Sequence, residues 1–251
     1  MPRMKRSGPM TQSDDAASGR LTALLEGAAG GRDGQAWSDL WTELYHNGSL
    51  DVSDPQVWRA LTDMAEGVDA DTASAALHLA GALLVQADRR HETRDLRDRH
   101  APEVARLLAA AHRRRPATAD RNDYCVLLET LVNLEGDVHW AEDLFWGIAG
   151  EEYELECPDP DCCAELWVVI GERASSGTSQ DDVCSDDADT VPLQPAAPGA
   201  LDGLGRRLYE LALADGQEDV ADALTHAFGA ATCPECGGRV SVVAHLMARS
   251  G

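Results

Sequence analysis

The sequence predicts a mainly α chain: an α-solenoid-like array of short helices, then a small α+β domain built around paired cysteines. Three observations predict this. Apolar residues recur at helical spacing from residue 21 to about residue 147, strand-like alternation replaces that pattern at residue 152, and two Cys-bearing turns bracket the C-terminal part. The 251 residues suffice for one large domain or two modest ones, and a 44% hydrophobic content is that of a globular chain. The expected organisation is a disordered tail at 1–13, a helical-repeat-like domain at 14–150 and a second domain at 151–251.

The helical part reads as follows. Leu21, Leu24, Leu25 and Ala28 share one helical face, broken by Gly30, Gly31 and Gly34. Trp37, Leu40, Trp41, Leu44 and Tyr45 form the next stripe, stopped at Asn47-Gly48. Asp54-Pro55 is an N-cap followed by a first-turn proline, and Val57, Trp58, Leu61 and Met64 follow as a buried stripe. Residues 71–87 are largely apolar and predict a longer, central helix. Ala101-Pro102 opens a helix with Val104, Leu107, Leu108 and Ala111 inside. Tyr124, Leu127, Leu128, Leu131 and Val132 mark a sixth helix ending at Gly136, and residues 137–147 a short seventh. Short helices with short links suit stacked antiparallel pairs, although no repeat of fixed period is visible. Trp58, Trp140, Trp146 and Trp167 read as core.

In the second part, Tyr153, Leu155 and Cys157 alternate with Glu152, Glu154 and Glu156, which predicts a half-buried strand. Leu166–Ile170 is a second strand. Residues 173–190 hold five Asp and no apolar pattern and read as a mobile acidic loop. Val191–Leu193 rejoins the sheet, two inserted helices follow at about 200–214 and 217–229, and Val240–Val243 reads as a closing strand.

Charge narrows the function. Asp and Glu total 44 against 21 Lys and Arg, a net charge of −23. Residues 1–115 carry a net −2 and residues 116–251 a net −21. Nucleic acid and anionic membranes would repel such a chain. No apolar run reaches 18 residues and no secretory leader is visible, so the expected compartment is the cytoplasm, where Cys clusters are more often metal ligands than disulfides.

Cys157-x4-Cys162 and Cys233-x2-Cys236 are the strongest signals. Each pair sits in a turn beside a strand, with Pro after its first Cys, and Gly-Gly follows the second pair. Such turns aim two thiolates and several backbone N–H groups at one cation. Two of them supply four soft ligands, which suits one tetrahedral Zn²⁺. With four protein ligands the site would be structural, clipping together distant segments of residues 150–245. Cys163 is an alternative to Cys162, because the first turn is long; the Ala-Glu-Leu after Cys162–Cys163 favours Cys162 as the exit of the knuckle. A redox pair at Cys233 and Cys236 is the competing reading, and no βαβ unit surrounds it. Cys125 reads as helix core and Cys184 as an exposed thiol.

Glu151, Glu152, Glu154, Glu156, Asp159, Asp161 and Glu165 crowd the first knuckle, and Asp181, Asp182, Asp186, Asp187 and Asp189 lie in the acidic loop. They are either solubility charge or a docking face for a basic partner; the candidate partner-binding residues are Glu151, Glu152, Glu154, Glu156, Asp181, Asp182, Asp186 and Asp187. Nine Arg between Arg89 and Arg115 are interleaved with Asp and Glu at helical spacing, which predicts a salt-bridged face in preference to a nucleic-acid patch. His91, His100 and His112 read as scattered surface residues. His139 lies among acids, with nothing to mark a nucleophile. No phosphate-binding glycine loop, G-x-S-x-G or H-E-x-x-H occurs.

Residues 156–172, residues 228–237 and the run Leu40-Trp41 to Leu44-Tyr-His-Asn-Gly together resemble a group of uncharacterised actinobacterial proteins. The resemblance implies HEAT-like helical repeats followed by a split zinc ribbon, with Cys157, Cys162, Cys233 and Cys236 as ligands. This chain departs from the group by two residues inserted in the first knuckle and by Cys163 where Gly is usual. The resemblance transfers no activity. The expectation is therefore a non-enzymatic interaction module, in its sharpest form an immunity or inhibitor protein docking a basic partner. The alternatives are a zinc-ribbon adaptor associated with nucleic acid or transcription, and an accessory enzyme of secondary metabolism.

Overall fold

In a computed structural model of the chain, residues 12–30, 34–46, 50–89, 93–136, 140–171, 174–179 and 190–249 are described. They are mainly helical, with a small antiparallel sheet. Two compact units are formed, Met1–Ala110 and Ala111–Gly251. The change of residue character at 152 is thus a change from helix to strand inside the second unit.

The first unit contains α1 (Gln12–Ala29), α2 (Gly34–Trp41), a π-helical turn at Thr42–His46, α3 (Pro55–Ala65), α4 (Ala70–Arg89), α5 (Thr93–Arg99) and most of α6 (Ala101–Arg114). Consecutive helices pack on one another, α1 on α2, α3 on α4 and α4 on α5. Helix α3 starts as its sequence dictates: Asp54 accepts from the Gln56 N–H at 2.8 Å and Pro55 takes the first position, where no N–H is needed. Its stripe of Val57, Trp58, Leu61 and Met64 is buried. Trp58 donates its indole N–H to the Val52 carbonyl at 2.8 Å, so its polar handle is satisfied inside the core. Its ring stacks on His100, with centroids 5.4 Å apart and planes 19° apart.

His100 therefore overturns the surface reading. It is only 2% exposed, with its Nε2 3.2 Å from the Ser53 carbonyl oxygen. The ring fills a core slot and finds one acceptor there, which is how a buried imidazole avoids an orphaned donor. Arg106, one of the nine clustered arginines, reaches Glu66 at 2.6 Å and Asp63 at 3.3 Å, and so pairs with the end of α3. Arg20 likewise pairs with Glu43, a mostly buried carboxylate in the π-helical turn.

The second unit contains the end of α6, then α7 (Arg121–Glu135), α8 (Ala141–Gly150), β1 (Glu152–Glu156), β2 (Glu165–Val169), β3 (Ser175–Gly177) and β4 (Val191–Pro192). It continues through α9 (Gly203–Ala214), α10 (Glu218–Ala227), β5 (Ala231–Thr232), β6 (Arg239–Val240) and α11 (Val242–Arg249). The sheet runs β1-β2-β3-β4, all antiparallel, and β5-β6 forms a second ladder. The Gln194–Ala230 bridge joins the chain after β4 to the chain before β5.

Register aims the sheet. Tyr153 pairs with Val168 and Leu155 with Leu166, placing four buried side chains on one face, whereas Glu154 lies opposite Trp167 and Glu156 opposite Glu165 on the other. Tyr153 also donates its hydroxyl to the Leu144 carbonyl of α8 at 2.7 Å. Gly147 makes this possible: a Cβ there would fall 2.0 Å from the Tyr153 ring. On the helical side, buried Asp215 accepts from the Tyr124 hydroxyl at 2.7 Å and pairs with Arg115 at 2.7 Å, which ties the start of α7 to the end of α9.

Four local expectations change. Residues 175–177 form β3, a strand inside the expected loop, because Ser176 is fully buried and its hydroxyl donates to the Thr232 carbonyl at 2.8 Å. Residues 242–249 form α11, where Val240–Val243 reads as a strand; Val242, Val243 and Leu246 bury a helical face. Trp146, expected in the core, is 79% exposed, because α8 turns Leu144, Phe145 and Ile148 inward. Residues 93–99 add the short helix α5, in which Leu96 is buried.

Candidate metal centre

Both cysteine turns grow out of strand ends. Cys157 directly follows β1, and its N–H donates to the Ala164 carbonyl just before β2 at 2.9 Å, so the ladder continues one step into the turn. Inside the turn, Asp159 accepts from the Asp161 N–H through its carboxylate at 3.0 Å and from the Cys162 N–H through its carbonyl at 3.1 Å. That aspartate bends the chain back on itself. The second turn repeats the device between β5 and β6. Cys233 N–H donates to the Gly238 carbonyl at 2.8 Å, and Gly237 N–H to the Cys233 carbonyl at 2.9 Å. Gly237 has φ 75°, a left-handed conformation that suits glycine. Gly238 donates its N–H to the Cys236 sulfur at 3.3 Å, and a Cβ there would press on that sulfur at 3.2 Å.

The two turns meet. The sulfur atoms of Cys157, Cys162, Cys233 and Cys236 all lie within 4.8 Å of one another. Cys157 to Cys236 is 3.5 Å and Cys162 to Cys233 is 3.8 Å. These are not disulfide lengths, which are about 2.05 Å. A tetrahedral ion with metal–sulfur bonds of about 2.3 Å has sulfur–sulfur edges of about 3.8 Å. The cluster therefore has the dimensions of a tetrathiolate and could hold a metal ion. Each close pair takes one sulfur from each turn, so neither turn builds the site alone.

Geometry places Cys162, and not Cys163, in the cluster. Cys163 has φ 53°, is exposed, and turns its sulfur to the Pro160 carbonyl at 3.2 Å, away from the cluster. Cys233 and Cys236, the pair of the competing redox reading, are free cysteines, and each lies against a sulfur of the first turn.

The four thiols titrate against one another. Burial pushes the Cys233 thiol up, but backbone N–H groups of Cys236 and Glu235 and the neighbouring thiols outweigh it and lower its pKa. For Cys162, a hydrogen bond from the Ala164 backbone favours the thiolate. Desolvation and the three other thiols outweigh it and raise the pKa to about 12. Crowded sulfurs resist sharing a second negative charge, and a cation between them removes that resistance. Cys125, in contrast, sits in α7, where desolvation raises it to about 11, as a core thiol would be.

An open cavity of about 810 Å³ lies against the cluster, with Asp159, Asp161, Glu165 and Glu235 on its walls beside Cys162 and Cys236. Of the candidate partner-binding residues, Glu154 and Glu156 are exposed on the outer face of β1, and Glu152 is half-buried. Glu151 is engaged by Arg121 at 2.7 Å. Asp181, Asp182, Asp186 and Asp187 lie outside the described residues, as do Cys184, His91 and His139. Glu235, between the two cysteines of the second turn, adds to the acidic wall; its place in Cys-Pro-Glu-Cys was the available signal.

No described helix is long and apolar enough to cross a membrane. Comparison of the chain with protein-family models, with curated proteins and with solved structures finds no match in any of the three.

Proposed function

We propose that this chain is a non-enzymatic protein-interaction module whose second unit is clipped by one structural Zn²⁺ and docks a basic partner through its acidic surface. The carrying observation is the four-sulfur cluster, whose 3.5 and 3.8 Å separations fit the edges of a ZnS₄ tetrahedron. Four thiolates complete a tetrahedral zinc shell and leave no position for substrate, which is the character of a structural site. Two Cys turns on separate strand ladders suit a split zinc ribbon, and the consecutive helix pairs of the first unit suit a HEAT-like array.

The acidic surface supports the docking part. Glu156 stands directly across from Glu165, and like charges directly opposite on a sheet are unfavourable. Asp159, Asp161 and Glu235 add to the same charge around the sulfurs. A cationic partner relieves that repulsion, speeds its own encounter and is selected by sign. This makes an inhibitor or immunity role against a basic protein the favoured form.

Two measurements test the reading. Elemental analysis of the purified chain is expected to find one zinc per protein; iron in its place would overturn the zinc assignment, because tetrathiolates also take iron. Capture of partners by tagged, zinc-loaded protein is expected to yield a basic protein that leaves as salt rises, and that is lost when Glu154 and Glu156 become Gln. Capture unaffected by salt and by those substitutions would overturn the docking reading.

A further inference from the structure

A groove in the first unit runs between α1 and α3 and is bounded at one end by the turn from Gly67 to Asp69 that leads into α4. Its volume is about 530 Å³, within the range of real binding sites. The floor is apolar, with Leu25 of α1 and Ala60 and Met64 of α3 facing it. Val68 stands at its edge fully exposed, an apolar side chain without cover. Gln56 donates to the Thr22 hydroxyl at 2.9 Å, fixing α1 to α3, so the groove is preformed.

The rim is acidic. Glu26 stands on α1, Asp63 on α3 and Asp69 at the start of α4, and no Lys, Arg or His is among the described residues lining the groove. Arg106 approaches from outside, at 2.6 Å from Glu66 and 3.3 Å from Asp63. Asp69 accepts the Thr72 N–H at 2.8 Å, as the carboxylate that caps α4. An apolar trough between two helices, flanked by carboxylates, is complementary to one kind of ligand: a helix with an apolar stripe bordered by cations. An acidic helix would bring like charge against the rim.

We propose that this groove receives a basic amphipathic helix of a partner protein. The inference deepens the interaction reading, on which it rests for the existence of a partner, and it needs neither the metal nor the acidic strand.

The test uses the full-length, metal-loaded chain with ¹³C-labelled methionine methyls. The chain has five methionines. Met64 lines the groove, and Met247, 53% exposed on α11, reports on the second unit. The probes are a synthetic Leu–Lys amphipathic helix and its Leu–Glu counterpart. The Leu–Lys helix is expected to shift the Met64 signal and leave Met247 in place; the Leu–Glu helix is expected to shift neither. Ala60→Arg fills the groove, and Val68→Arg changes only a fully exposed site. Each is expected to weaken the Leu–Lys helix about tenfold or more without moving the thermal midpoint.

The proposal is overturned if Met64 does not respond, if Met64 and Met247 shift alike, or if both arginine variants bind unchanged. Deletion of residues 2–10 that by itself moves Met64 would also overturn it, by making the chain's own N-terminal segment the occupant. A Met64 response together with partner capture unaffected by the Glu154 and Glu156 substitutions would sink the acidic-strand reading alone.

Discussion

Replacing Cys233 by Ser removes the most buried of the four clustered thiols. It also removes a tie between points 71 residues apart, since Cys233 and Cys162 are 3.8 Å from each other. Closing a loop of that length restricts the unfolded chain by about 4 kcal/mol on the chain-entropy model of a cross-link. Structural zinc sites bind with apparent free energies of about 10–16 kcal/mol near neutral pH, so about 4 kcal/mol is a lower bound. Whole domains are stable by only about 5–15 kcal/mol. The variant is therefore expected to lose its metal and to leave the sheet of the second unit largely unfolded, while α3 and α4 remain. Elemental analysis reads the first outcome, and hydrogen exchange resolved by peptide reads the second. Amides of β1 and β2 should exchange near the unfolded rate, and those of α3 should not change. One metal ion per chain retained in Cys233→Ser, or unchanged protection over Glu152–Val169, would refute the reasoning.

Three further outcomes are expected. Cys163→Gly keeps the metal and raises stability by about 1 kcal/mol, because a non-glycine residue at φ 53° is strained; a lost metal ion would return Cys163 to the ligand set. Gly147→Ala drives a Cβ to 2.0 Å from the Tyr153 ring and breaks its hydroxyl bond to Leu144. An unfolding free energy in urea lower by about 3 kcal/mol or more is expected, with partial recovery in the Gly147→Ala, Tyr153→Leu double variant. Glu129 is half-buried on α7. Desolvation first, then Glu142, raise its carboxyl to about 7 against the lowering hydrogen bond from Asn133. A carboxyl raised in the folded state favours folding below its unfolded value of about 4.5 and loses that contribution as pH rises through 7. Glu129→Gln should thus leave stability unchanged near pH 4 and increase it by up to about 3 kcal/mol at pH 8; parallel pH–stability curves for variant and parent would show that Glu129 is not desolvated.

The helices and the cysteine turns were legible because their signals are local. The Asp54-Pro55 cap and the stripe from Val57 to Met64 lie within a dozen residues, and each cysteine turn carries its own Pro and Gly markers. What escaped depends on distant partners. Ser175–Gly177 has no strand propensity, and only pairing with β2 and the Thr232 carbonyl makes it a strand. Val240–Val243 is β-branched and looks like a strand, yet its two halves divide, Val240 pairing with Ala231 and Val242 opening a helix. His100 became core because Trp58, far off in sequence, offers a ring to stack on. Trp146 is the converse: helix phase turns the chain's largest kind of side chain outward. The groove between α1 and α3 has no sequence signal, since its two walls come from separate segments.

The interleaving of the two cysteine turns has a consequence for the order in which the protein is made. Cys157 emerges from the ribosome with its nearest sulfur partner still 79 residues away, and Cys162 waits 71 residues for Cys233. At about 5–20 residues per second, the nascent chain carries two unsealed thiols for about 4–16 s. Through that window they are open to oxidation and to capture of a wrong metal. The thiols of the first turn thus meet the cell's oxidants and metal ions before the second turn arrives.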